Sequence, residues 1–259
     1  MITDIVRDRL AGGKGLEIGG PSQSFSGSGI CPIYPLLSEL DDLSFPRPPE
    51  WGGRCLQDRA KFDGMRQLSQ QFIGDAELGN ALPDRKYRCI ISSHVIEHLT
   101  NPLQTLRLWT SRLDEHGLMV HILPHKENTF DTRRPVTRLD HLIADHDAKV
   151  DWTDTTHYDE VRRLSNERHS EQWFVDVPKH RGMHQHVFDT KLCLEMFTYL
   201  GMQILFCVPV LPHHIVVAVQ PQSGRIHDQG MEDFRSILMS SPFSLDRAHA
   251  SSHVVEEVS

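Results

Sequence analysis

The chain has 259 residues and a formal net charge of −8, with 39% hydrophobic and 24% charged residues. That length and balance suit one globular α/β domain with insertions and exclude a disordered or low-complexity chain. The acidic excess excludes a non-specific grip on nucleic acid, which needs clustered Lys and Arg, and no apolar run approaches the ~20 residues of a membrane span.

Residues 3–10 have the pattern of a short helix released by "AGGKG". "GLEI" is the first strand, and it runs into the loop "GGPSQSF". Apolar residues then lead to Asp41 and Asp42, the approach to a second strand. Residues 44–53 are rich in Pro and Gly and must be loop. A short extended piece at Phe72-Ile73 ends at Gly74-Asp75. "YRCIISSHVIEHL" is the clearest strand, ending at Ser92-Ser93-His94.

Asn101 is a natural N-cap and Pro102 fits the first turn of a helix whose apolar period runs through Leu103, Leu106, Trp109 and Leu113. Gly117 is expected to end it, and "LMVHILP" is the next strand. Strand, helix and strand at this spacing make a βαβ unit in a parallel sheet.

Residues 125–186 break the rhythm and are rich in His, Asp and Arg, as expected of a polar lid inserted beside an acceptor. A helix over "FDTKLCLEMFTYLG" follows, then two strands around "LPHH" that must form an antiparallel hairpin. The expected division is a main domain over residues 1–221 and a polar C-terminal tail over 222–259, with a helix at "MEDFRSILM" and a frayed end. The five cysteines form no CxxC pair and read as buried thiols. The N-terminus lacks the long apolar core of a signal peptide, so a cytoplasmic location is expected.

The glycine loop should cradle a ligand. It lacks the Gly-Lys-Ser/Thr ending of a phosphate loop and the third glycine of a dinucleotide fingerprint. Glu17 at the strand end would repel a pyrophosphate but suit a cationic ligand. S-adenosylmethionine is such a ligand, carrying a sulfonium and no phosphate. Glu17, Gly19 and Gly20 at the first strand, Asp41 for the ribose hydroxyls and Asp75 for the adenine amino group would meet it at three consecutive strand ends.

"LEIGG", "IGDA" and "IISSHVIEHLTNP…LDEHGLMVHILP" resemble motifs of class I S-adenosylmethionine-dependent methyltransferases. "LPHKENTFDTRRPVTRLDHLIADH" and "HQHVFD" are similar to a bacterial methyltransferase-domain subgroup. The resemblance implies a Rossmann-like, seven-stranded, mostly parallel sheet with helices on both faces and an antiparallel last strand. It also implies S-adenosylmethionine as methyl donor, held by Glu17, Gly19, Gly20, Asp41, Asp75, Ala76, Ser93 and His94. Pro21-Ser22 depart from the usual glycine loop.

A sugar or alkyl hydroxyl acceptor needs a base, and His125, after the "LMVHILP" strand, and His186 are the expected catalytic residues. Arg133-Arg134 could hold an acidic group on the acceptor, and His213-His214 are expected in solvent. His141 and Asp145 share a helical face. A divalent metal site drawn from His125, Asp131, His141, His184 and His186 is not favoured, because no HExxH-type spacing supports it. The expected function is methylation of a hydroxyl on a sugar, glycan or small metabolite, with no nucleic acid and no membrane as partner. A nicotinamide oxidoreductase on a similar sheet and a non-catalytic binding module remain alternatives.

Overall fold

Strand, tight turn and helix alternate along the chain, and the computed structural model describes residues 3–46, 68–222 and 231–252. Cys55, most of the Pro/Gly-rich loop and the end beyond 252, where fraying was expected, lie outside the described residues. Helix α1 (Asp4–Leu10) is capped by Thr3, whose side chain accepts from the Val6 amide. Strands β1 (Lys14–Ile18), β2 (Glu39–Ser44), β3 (Leu68–Ile73) and β4 (Tyr87–Ser93) follow. Helix α2 (Pro102–Thr110) leads to β5 (Leu113–Pro124), and α3 (Leu139–Ala148), α4 (Tyr158–Leu164) and α5 (Glu171–His180) follow within the segment expected to be a lid. Helix α6 (Thr190–Tyr199), strands β6 (Met202–Val210) and β7 (His214–Pro221), and helices α7 (Met231–Ser240) and α8 (Ser244–Ser252) complete the chain.

The seven strands form one sheet in the order β3-β2-β1-β4-β5-β7-β6. The pairs β1–β2, β1–β4, β2–β3 and β4–β5 are parallel. Strand β7 runs antiparallel to both β5 and β6, so the expected hairpin is present and the last strand alone is reversed. This is the expected Rossmann-like α/β fold, a seven-stranded, mostly parallel sheet with one antiparallel strand. The chain order reverses between β1 and β4, and open α/β sheets bind ligands at such a point, outside the carboxyl ends of the strands.

Alternate strand residues divide between two cores, as the pleat requires. Leu16, Ile90, Met119 and Val217 face one side with Leu103, Leu106 and Trp109 of α2 and Leu194 and Phe197 of α6. Cys89, Ile91, Val120 and Ala218 face the other with Val6 and Leu10 of α1 and with Phe25, Ile33 and Tyr34. Each Val, Leu, Ile, Phe or Met among them contributes about 1.5–3 kcal/mol on burial. Cys31, Cys89, Cys193 and Cys207 are buried free thiols. Among the described residues no helix is long and apolar enough to cross a membrane.

Two boundaries differ from the sequence pattern. Asn101 caps α2 as expected, accepting from the Gln104 amide at 3.0 Å, but Leu113 pairs with Tyr87 as the first residue of β5 rather than closing the helix. Gly117 lies inside that strand, where a Cβ would stand 2.8 Å from the Leu113 Cβ and 3.0 Å from the Tyr87 carbonyl. Within the expected tail, α7 and α8 dock on the domain: Asp246 of α8 accepts from Thr190 Oγ1 at 2.5 Å and Ser241 Oγ at 2.6 Å. His249 meets Asp189, the α6 N-cap, at 2.9 Å.

Candidate active site

A cleft of about 600 Å³ opens at the carboxyl ends of β1 to β4 and is roofed by His180, Arg181 and Gly182 after α5. Gly19 and Gly20 form its floor. Gly19 has φ +75°, and a Cβ there would stand 2.8 Å from Val95 Cγ2. A Cβ on Gly20 would lie 2.3 Å from the Glu17 carboxylate. Both positions therefore need glycine, and the backbone is left open to a ligand.

Glu17 itself does not line the cleft. It is buried, and its carboxylate accepts from the Ser22 amide at 2.9 Å and Tyr34 Oη at 2.7 Å. It holds the glycine loop from below. Asp41, the expected ribose contact, does not line the cleft either. Strand β2 runs three residues past Asp41, so the cleft meets Leu43, Ser44 and Phe45 instead. Asp41 is fully buried and accepts from Tyr87 Oη at 2.7 Å, Arg85 Nη1 at 3.0 Å and the Gln70 amide at 3.0 Å.

Asp75, Ala76 and His94 do line the cleft. Asp75 accepts from the Glu77 amide at 3.0 Å and pairs with Arg181 Nη2 across the cleft. The Arg181 guanidinium lies over Phe45 and Trp152, 5.5 and 5.7 Å from the ring centroids. Ser93 sits below the wall, its hydroxyl 3.5 Å from Ser24 Oγ. His94 adopts φ +54°, an unusual conformation for a non-glycine residue that aims its ring from the end of β4. His213 and His214, expected in solvent, close on it, with His94 Nε2 3.0 Å from His214 Nδ1.

Behind His94 lies a group absent from the expected site. Glu97 is fully buried, and neither carboxylate oxygen has a hydrogen-bond donor among the described residues. His94 Nδ1 is 3.5 Å from Oε1, and His98 Nε2 and His184 Nε2 are each 3.9 Å from it. His98 Nδ1 is 3.0 Å from the Met183 carbonyl and His184 Nδ1 is 2.6 Å from Asp131 Oδ2. Those partners only accept, so each ring donates from Nδ1 and has its Nε2 toward Glu97. Burial raises the Glu97 pKa, but His94, His98 and His184 together outweigh it and hold the carboxyl below its ordinary value. Burial and the neighbouring His184 push His98 down to about 4, which keeps its ring neutral.

The two expected bases are elsewhere. His125 is fully buried under α8. Its ring stacks on Phe243 with centroids 3.8 Å apart, its Nε2 is 3.2 Å from Asp246 Oδ1, and its Nδ1 accepts from the Glu127 amide. It anchors the C-terminal helices and does not reach the cleft. His186, also buried, does not line the cleft but faces His141 and His157, with ring centroids 5.8 and 5.3 Å away. Arg134 is buried as well, bound to Asp131, Glu160 and the His184 and Gln185 carbonyls, so it is not open to an acceptor.

No protein-family model and no curated protein matches the chain. Solved structures do resemble it. CurJ carbon methyltransferase aligns at 16% identity over 83% of this chain, with a TM-score of 0.43. A methyltransferase from Clostridium acetobutylicum ATCC 824 aligns at 9% identity over 81% of this chain and 84% of its own length, with a TM-score of 0.47. N-methyltransferase NodS from Bradyrhizobium japonicum WM9, in complex with S-adenosylhomocysteine, aligns at 13% identity over 84% of each chain, with a TM-score of 0.45. The chain spans half the length of CurJ carbon methyltransferase.

Proposed function

We propose that the protein is an S-adenosylmethionine-dependent methyltransferase acting on a hydroxyl of a sugar or small metabolite. One observation carries this reading. The cleft at the strand switch combines a floor of two obligatory glycines with Asp75 and Glu77, and Arg181, the one Lys or Arg lining it among the described residues, is neutralised by Asp75. Such a lining suits a cationic, phosphate-free ligand and disfavours the pyrophosphate of a nicotinamide dinucleotide.

Bound S-adenosylmethionine supplies a methyl group already activated on sulfonium. The protein's work is then alignment, which can be worth ~7–11 kcal/mol, and removal of the acceptor's proton. Gly19 and Gly20 allow the donor close backbone approach. Asp75 offers an acceptor for the adenine amino group once Arg181 shares it. His98 takes over the role first expected of His125 and His186. Its ring is neutral, it lines the cleft, and Glu97 at 3.9 Å stabilises the imidazolium formed when Nε2 takes the hydroxyl proton. Asp131 fixes His184 and thereby the third side of that pocket.

Calorimetric titration with S-adenosylhomocysteine and NAD tests the donor site, and labelled methyl transfer to a panel of sugars and small alcohols tests the acceptor. Binding of NAD without S-adenosylhomocysteine overturns the reading. Donor binding with transfer only to amines or carbon acids overturns the acceptor class.

A further inference from the structure

The lid insertion carries a second histidine cluster, none of whose members lines the cleft. His141 and Asp145 stand one turn apart on α3, His157 precedes α4, and His186 lies on the return segment before α6. His141 Nε2 is 3.2 Å from His157 Nε2 and 3.3 Å from Asp145 Oδ2. His186 Nε2 is 3.9 Å from the same carboxylate oxygen. One ligating atom from each of the four lies within 4.8 Å of all the others.

Ligands bound at ~2.0–2.1 Å around a tetrahedral ion stand about 3.3 Å apart, so the two shortest contacts already have the spacing of a coordination shell. Hydrogen bonding alone accounts poorly for the group. Two Nε2 atoms at 3.2 Å can share only one proton between them. His186 is 1% exposed, and its Nδ1 is buried with no hydrogen-bond partner among the described residues.

We propose that His141, Asp145, His157 and His186 bind one first-row divalent cation, with zinc preferred, as a closed structural site that clasps the insertion to the domain. Three imidazoles and a carboxylate are a borderline donor set that suits zinc over magnesium or calcium. The site has an architectural use. The insertion's own apolar cluster is small, built on Val161, Phe174, Val177 and Met183, and the four ligands join α3, the start of α4 and the segment entering α6. Outer contacts steady them. Asn101 Nδ2 donates to the Asp145 carbonyl at 3.2 Å and to the Val150 carbonyl at 3.5 Å. This inference is independent of the methyltransferase reading.

The test is elemental analysis of the full chain after dialysis against zinc and removal of loose metal, with cobalt(II) as a spectroscopic probe. The expected result is one equivalent of zinc per chain and the intense visible bands of tetrahedral cobalt. Both are lost in His157→Ala and in His141→Ala, the latter at a half-exposed position that tolerates truncation. Chelator should lower the Tm of the wild type and leave that of His141→Ala unchanged. Absence of stoichiometric zinc in the folded wild type overturns the proposal. So does zinc retained by a folded His141→Ala/His157→Ala double variant, an outcome that would move the ion to Glu97, His98 and His184.

Discussion

Asp75, at the exit of β3, and Arg181, in the left-handed cap of α5, meet across the cleft although 106 residues separate them. The pair ties the roof of the cleft to the sheet that forms its floor. Asp75 lines the cleft, while Asp41 is taken up by Tyr87, Arg85 and the Gln70 amide.

These two aspartates should separate affinity from stability. Asp75→Ala is expected to weaken S-adenosylhomocysteine by ~1.5–3 kcal/mol, the range for a charge-assisted hydrogen bond. Asp41→Ala should leave that affinity within about twofold and cost ~1–3 kcal/mol of folding stability, because it strands buried donors. Calorimetric titration and urea unfolding on both variants decide the matter, and a reversed pattern would put Asp41 back in the site.

Phe243 and His125 give a prediction for the C-terminal helices. Phe243→Ala removes a buried ring stacked on His125 and is expected to destabilise by ~3–5 kcal/mol. Limited proteolysis should then cut first near α7 and α8. The rate per folded molecule should change little, since neither side chain lines the cleft. A large fall in rate with intact stability would return His125 to the chemistry.

His98 and Glu97 carry the rate prediction. His98→Ala and Glu97→Gln should each lower methyl transfer ~10²–10⁴-fold while S-adenosylhomocysteine still binds. Single-turnover measurement with labelled donor separates the two effects. Near-normal transfer by both variants would leave alignment as the whole of catalysis.

Acid stability should report His121. The residue is fully buried on β5, its Nδ1 2.8 Å from Ser92 Oγ and its ring stacked on Phe197, and burial pushes its pKa down to about 3. Its unfolded value is near ~6.5. Between those values the unfolded chain binds the proton and the folded chain does not, so stability is present above pH ~6.5 and drains as the pH falls toward 3. The slope from this one group approaches ~1.4 kcal/mol per pH unit. Urea midpoints from pH 7 to pH 4 should therefore fall less steeply in His121→Leu than in the wild type, and equal slopes would exclude His121 as the acid-sensitive group.

Features legible in the sequence were those with a local cause. The cap at Asn101, the Gly19-Gly20 turn after an apolar strand, the βαβ spacing around "SHVIEHL" and the short "LPHH" turn each depend on residues within a few positions of one another. They were enough for a parallel α/β sheet with a final hairpin and for the strand ends at which such sheets bind ligands, while the count of seven strands came from the family resemblance. Side-chain destinations were not legible in this way. Whether Asp41 ends β2 or sits inside it depends on pairing with β1 and β3, and a strand three residues longer takes that acid away from the cleft. His125 and Asp246 lie 121 residues apart, Glu97 and His184 87, and His141 and His186 45, and no periodicity records such distances. Only tertiary packing could decide which histidines face the cleft, which hold a helix and which face one another, because burial and hydrogen-bond pairing are set by neighbours in space.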